Sequence, residues 1–193
     1  MPVTIAAAFA QTLRNALQRG LAAEIGVVAG THVRFLFGLP FALVFLVVGV
    51  VATGRPPPVP DATSIGWLSL GAVTQVAATA LMLWAMRLRS FVVATAYTKT
   101  EPVLVLVVAV VALGEVPTPT LVLAVVTATA GVLVMSWQRP RAVAAGDAVR
   151  AAVAGVAAAG AFALSVVAYR GGILALGGAG EPLAPPTALA FAT

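Results

Sequence analysis

Two charged residues lie in the middle of a long apolar stretch, and they are the residues of this sequence with the clearest potential for chemistry. Lys99 and Glu101 interrupt residues 90–115, a segment long enough to cross a bilayer, since a spanning helix takes roughly 20 mostly apolar residues. A charged side chain at the centre of a membrane costs about 2.5–3.5 kcal/mol on insertion scales. Such a pair needs a partner, a polar cavity or a function, and we expect both residues to be functional.

A proline follows these charges directly. Pro102 has no N–H, so the carbonyl of Thr98 loses its helical partner and the sequence predicts a helix break here. Tyr97 and Glu101 are spaced i, i+4, which places a phenol and a carboxylate on one helix face. Lys99 and Glu101 are spaced i, i+2 and point apart on a regular helix, so a direct ion pair between them requires a broken backbone.

Polar residues on three earlier segments are candidates to face these charges across a cavity. Arg14 and Asn15 lie on the first apolar segment, Arg34 on the second and Gln75 on the third. Each has a structural alternative: Arg14 could snorkel to the interface, Arg34 could anchor at the lipid headgroups, and Gln75 could hydrogen-bond between helices. A further alternative is that Arg14 only neutralises Glu101.

The composition shows which solvent surrounds these residues. Hydrophobic residues make up 61% of the chain and charged residues 9%, against about 25% charged in average soluble domains, and the mean hydropathy is +1.07. The net charge is +5, but the basic residues come singly or in pairs between apolar runs, so we expect lipid contact and no nucleic-acid binding. Without cysteine, with one histidine and without a Walker-type loop, the sequence predicts no cofactor, no metal site and no ATP hydrolysis.

The apolar runs predict an all-α, polytopic helical bundle. No basic residue precedes Arg14, so we interpret the first run as a retained membrane helix rather than a signal peptide. A further run from residue 183 is too short to span. The predicted helices cover about residues 3–20, 26–52, 65–86, 90–115, 118–137 and 151–169.

The sixth segment resembles the first. A shift of 151 positions places Leu13 on Leu164 and Arg19-Gly20 on Arg170-Gly171, with several alanines matching as well. Because five helices precede the restart, the second unit would be inverted in the membrane, as in many secondary transporters.

At this point the chain resembles the EamA-like family of the drug/metabolite transporter superfamily. The resemblance is carried by residues 98–102 (TKTEP), by the apolar run that ends in residues 113–115 (LGE), and by residues 131–134 (GVLV) in the next helix. It covers residues 3–137 as one repeat and 151–193 as the start of another.

The resemblance implies a fold of two five-helix repeats, of which this chain would hold residues 1–141 as the first repeat and 147–193 as a truncated second one. It implies a secondary transporter or exporter of small metabolites, amino acids or drugs in a bacterial inner or plasma membrane. The expected cavity residues are Glu101, Lys99, Tyr97, Thr98, Arg14, Asn15, Gln75 and Arg34. Glu101 is the candidate for proton coupling, since a carboxyl group buried in a membrane can bind a proton near neutral pH.

Two alternatives remain open. The chain could be a non-transporting module or half-transporter that needs a homodimer or a second chain for the missing helices. It could be an intramembrane enzyme, although it shows no nucleophile–base set, and we expect no enzyme activity. The first, third and fifth links carry most of the arginines, so the sequence predicts an N-terminus outside the cell. Relatives are usually drawn with the N-terminus inside, and we follow the charge pattern.

Overall fold

The computed structural model describes residues 2–88, 91–136, 145–177 and 182–191, and these form eight α-helices. The predicted all-α polytopic fold is confirmed. The helices are α1 (Pro2–Ile25), α2 (Val27–Thr53), α3 (Ala62–Leu88), α4 (Phe91–Thr98), α5 (Glu101–Leu113), α6 (Pro119–Ser136), α7 (Ala145–Ala175) and α8 (Ala184–Phe191).

Four stretches within the described residues are long and apolar enough to cross a membrane: Val27–Thr53, Ala62–Leu88, Ala94–Leu113 and Gly146–Ala175. The third of these joins α4 and α5 across their break. In α6 the apolar part is shorter, Pro119–Val132. The helix α1 is not among these four stretches, because its polar residues lower its mean hydropathy. That it crosses the membrane stays a prediction.

The turn between α1 and α2 is shorter than the sequence predicts. The predicted helices leave residues 21–25, with Glu24 among them, as a link, but α1 continues to Ile25 and Gly26 alone separates the helices. Gly26 has φ +92°, which residues with a Cβ rarely adopt. The two helices then pack closely, and Nε2 of Gln18 donates to the carbonyl of Gly30 at 3.3 Å.

The N-terminus of α3 is capped by the residue that precedes it. The backbone N–H of Ser64 donates to Oδ1 of Asp61 at 2.8 Å, and the Ser64 hydroxyl donates to the carbonyl of Asp61 at 2.9 Å. The Ser64 N–H, followed by the Ser64 side chain, holds the pKa of the Asp61 carboxyl group below its ordinary value of 3.8. The proline-rich linker therefore ends in a defined helix start.

The most extensive helix packing is between α3 and α7. One buried cluster joins the end of α3 to the start of α7, with members Ala22, Met82, Leu83, Ala85, Met86, Ala94, Ala154 and Ala158. A second joins the start of α3 to the end of α7 and to α8, with members Leu68, Leu176, Ala184 and Ala188. The two helices are therefore antiparallel, and the alanines of α7 allow the close approach.

The segment with Lys99 and Glu101 is broken into two helices. The first, α4, ends at Thr98, and α5 begins at Glu101 with Pro102 in its first turn. In the turn between them the N–H of Thr100 donates to the carbonyl of Tyr97 at 3.3 Å, a bond to the residue three before it. Both helices pack against α7.

The sixth predicted segment is longer than residues 151–169. The sequence predicts that this helix ends before Arg170. In the structure Arg170 lies inside α7, which runs to Ala175. Arg19-Gly20 lies inside α1 in the same way. The division into repeats at residues 1–141 and 147–193 stays a prediction. The predicted orientation counts the arginines of the links between helices. Three of these, Arg89, Arg139 and Arg141, lie outside the described residues.

Candidate functional site

A cavity of about 950 Å³ lies between α1, α2, α3, α7 and α8. This volume falls within the roughly 300–1,000 Å³ of typical small-molecule sites. Most of its wall is aliphatic and aromatic. The aromatic lining residues are Phe35, Phe37, Phe41, Phe45 and Tyr169.

A chain of hydrogen bonds links three helices at the polar part of the wall. Nη1 of Arg34 on α2 donates to the hydroxyl of Thr79 on α3 at 3.2 Å. That hydroxyl donates to the carbonyl of Gln75 at 2.9 Å. The Gln75 side-chain oxygen accepts from Oγ of Ser165 on α7 at 2.8 Å. Arg34 and Gln75, which both line the cavity, are thus held by their neighbours in defined positions.

Tyr169 forms the α7 side of the same wall. It sits against Gly71 of α3 so closely that a Cβ there would lie 2.7 Å from its Cε1. Its buried Oη has no hydrogen-bond partner among the described residues. It also interacts electrostatically with Arg34. Ser165 also interacts with this hydroxyl, although no hydrogen bond between them has good geometry. A buried phenol therefore lies beside a guanidinium on this wall.

The cavity is electrostatically one-sided. Arg14 and Arg34 both line it and repel each other. None of the described residues that line it is an aspartate or a glutamate, and neither arginine forms an ion pair within the described part of the chain. The guanidinium of Arg34 lies 5.7 Å from the centre of the Phe35 ring. The polar end of the cavity is thus positive.

Of the residues predicted for a cavity, the structure brings together three: Arg14, Arg34 and Gln75 line it. Asn15 does not, although its Oδ1 is buried and has no partner among the described residues. The four residues of the helix break are also absent from the lining: Tyr97, Thr98, Lys99 and Glu101. Their functional roles stay predictions.

At the helix break the side chains mainly close the backbone turn. The Thr98 hydroxyl donates to the carbonyl of Thr95 at 2.8 Å, and that of Thr100 donates to the carbonyl of Tyr97 at 2.9 Å. Tyr97 packs against Gly155 of α7, where a Cβ would lie 2.5 Å from the Tyr97 Cβ.

The two charges at the break differ in exposure. Glu101 is half-buried and Lys99 is exposed. They interact electrostatically but form no ion pair within the described residues. Glu101 therefore has no bonded partner in that part of the chain to satisfy its charge.

The model of the EamA-like transporter family matches residues 2–137. The chain belongs to the EamA-like transporter family. Membership indicates a membrane transporter of the drug/metabolite type, and members of the family are transporters rather than enzymes. With its apolar helices, this EamA-like protein is an integral, multi-pass membrane protein. No curated protein matches the chain, and no solved structure does.

Sequence reasoning missed two residues of the EamA-like protein's cavity region. Ser165 and Tyr169 both lie on α7, outside the part that matches the family. Their i, i+4 spacing puts two hydroxyl groups on one face of a helix made mostly of alanine, glycine and valine. That spacing is the signal that could have found them.

Proposed function

We propose that this EamA-like protein is a secondary transporter of small molecules such as metabolites, amino acids or drugs, and that it binds them in the cavity between α1, α2, α3, α7 and α8. The observation that carries the proposal is the convergence of Arg34, Gln75 and Tyr169, from three different helices, on one cavity of small-molecule size.

The physical argument starts from the membrane. Polar and ionisable side chains on membrane helices are costly and usually mark substrate or ion pathways. Arg34 and Gln75 lie on two of the candidate spans, and their hydrogen bonds to Thr79 and Ser165 fix them at the cavity wall. Such pre-positioned groups in an otherwise apolar pocket are typical of a ligand site.

Coupling is a separate part of the proposal. The chain has no phosphate-binding loop for ATP, so we propose that an ion gradient drives transport. Glu101 is the candidate for proton coupling because it is half-buried at a helix break and is not ion-paired within the described residues. Broken helices commonly form the ion and substrate sites of secondary transporters.

A pair of tryptophan substitutions on α2 tests the cavity as the transport site. Gly38 lines it, so Gly38→Trp would fill part of it. Val51 on the same helix is 78% exposed and does not line it, so Val51→Trp adds the same side chain on the outer face. Both variants and the wild type would be reconstituted into proteoliposomes and assayed for exchange of radiolabelled amino acids, carboxylic acids and a cationic dye.

We expect wild-type protein and Val51→Trp to exchange at least one of these compounds, and Gly38→Trp to lose that exchange. Equal monodispersity and helical circular dichroism would show that all three proteins are folded. Wild-type exchange by Gly38→Trp would contradict the assignment of the cavity. A folded wild-type chain without any exchange would contradict transport by this chain alone and would favour a module that needs a second chain.

A further inference from the structure

We infer that the cavity selects amphipathic anions, in which a carboxylate, sulfonate or phosphate group is attached to an aromatic or other apolar body. The inference rests on the proposed function, because it names the substrate class of the same cavity. It concerns binding selectivity, however, so it can be tested without transport.

The charge at the cavity favours an anion. Arg14 and Arg34 repel each other across it, and none of its described lining residues carries a negative charge. A guanidinium withdrawn from water without a counter-charge is unfavourable, and a bound anion removes that cost. A cationic ligand would add to the repulsion, and a neutral ligand would leave it in place.

Hydrogen-bond donors are also left over at this end of the cavity. A guanidinium has five N–H donors, and the hydrogen bond from Arg34 to the Thr79 hydroxyl uses one of them. The oxygen of Gln75 already accepts from Ser165, so its amide nitrogen is the end left to donate. These two donor groups without a matching acceptor fit the oxygens of a carboxylate or a related anion.

The rest of the wall fits an apolar body. Four phenylalanines of α2 line the cavity: Phe35, Phe37, Phe41 and Phe45. Phe35 lies beside the Arg34 guanidinium, and the other three phenylalanines follow along the helix and are more than 60% exposed. A ligand whose anionic group meets Arg34 would place its body against these rings. Aromatic side chains contribute large apolar contact areas and favour stacked or edge-to-face contact with another ring.

Equilibrium binding of three matched probes tests the inference. Tritiated 2-naphthoate, the neutral 2-naphthamide and the cation 2-naphthylmethylammonium share one aromatic body and differ in charge. They would be titrated against the full chain in nanodiscs of phosphatidylcholine, a lipid without net charge. The variants are Arg34→Gln, Arg14→Gln and the control Arg19→Gln, whose side chain is exposed on α1 and does not line the cavity.

We expect the wild type and Arg19→Gln to bind 2-naphthoate at least about tenfold more tightly than 2-naphthamide, as a charge-assisted hydrogen bond allows, and the cation least of all. Arg34→Gln should remove that preference. Arg14 forms no hydrogen bond or ion pair among the described residues, so Arg14→Gln should stay folded. It should reduce the preference for the acid over the amide. This variant therefore tests the inference even if Arg34→Gln does not fold. Equal affinity of the wild type for the acid and the amide, or an unchanged preference in Arg14→Gln, would overturn the inference.

Nanodiscs that also contain phosphatidylglycerol distinguish a soluble anion from an anionic lipid. If the lipid occupies the cavity, it will weaken 2-naphthoate binding to the wild type and to Arg19→Gln in proportion to its content. If the natural ligand is soluble, the affinity will fall no further than the negative surface potential of the lipid lowers the local concentration of the anion. Both results support an anion site and identify its source. Transport of other compounds without any anion preference would contradict this inference alone, whereas anion-selective binding without exchange would contradict the transport proposal alone.

Discussion

Nη2 of Arg170 lies 2.7 Å from Oε1 of Glu115, and this ion pair ties α7 to the turn that follows α5. Each partner belongs to a pattern noted in the sequence for a different reason. Glu115 ends the Leu-Gly-Glu turn that supports the family resemblance, and Arg170 belongs to the Arg-Gly pair that supports the internal repeat. The contact joins these two patterns at one point of the fold.

We expect this ion pair to contribute little to stability, because the Arg170 side chain is 60% exposed and that of Glu115 is 32% exposed. A double-mutant cycle of Glu115→Gln and Arg170→Gln should give a coupling energy below about 1 kcal/mol that falls with added salt. The measurement is the free energy of unfolding in a denaturing detergent titration. A clearly larger, salt-independent coupling would show that water does not reach the pair.

The fit of Tyr169 against Gly71 predicts a sharp difference between two glycines of α3. Gly71→Ala would bring a Cβ to 2.7 Å from the Tyr169 ring and must displace it, at a cost of about 1–3 kcal/mol in unfolding free energy. Gly66→Ala meets no atom within 4 Å and should be neutral or slightly stabilising. Equal stability of the two variants would show that the tyrosine moves without cost.

The helix positions were largely predictable, because the length of an apolar run limits the helix that can contain it. The errors lie where a polar residue is tolerated inside a helix. Arg170 lies inside α7, where it pairs with the distant Glu115, and Glu24 lies within α1 because Gly26 alone makes the next turn. Neither condition is visible in the local sequence.

The cavity was only partly predictable. Polar residues in apolar segments point to Arg14, Arg34 and Gln75, which line this cavity, and their role in binding a substrate stays a prediction. Tyr169 was missed because its position depends on Gly71, a residue almost a hundred positions away. The helix break at Pro102 could be predicted from the sequence. The spacing of nearby residues does not determine which cavity a broken helix faces.

Asp61 predicts a pH dependence of stability with a defined sign. Its pKa is held below 3.8 in the folded protein, first of all by the Ser64 N–H. The stabilisation is therefore fully present above the ordinary pKa and is lost as the pH falls through the lowered folded pKa. Asp61→Ala should lower the thermal midpoint at neutral pH.

The control for this cap is Asp61→Asn, since asparagine also caps helices but does not titrate. The thermal midpoint of Asp61→Asn, relative to wild type, should rise as the pH falls through the lowered pKa of Asp61. A constant difference between the two proteins across that range would show that the carboxylate charge does not strengthen the cap.

The proposed coupling role of Glu101 predicts loss of transport without loss of folding. Glu101→Gln keeps the size of the side chain but cannot bind and release a proton, so proton-driven uptake or efflux in proteoliposomes should be abolished. Glu24→Gln removes the same charge from an exposed position of α1 and should transport like the wild type. Membrane insertion and monodispersity of both variants would be checked first, because Glu101 begins α5. Wild-type transport by a folded Glu101→Gln would exclude this carboxylate from coupling and would leave it the structural role of an acidic residue in the first turn of a helix.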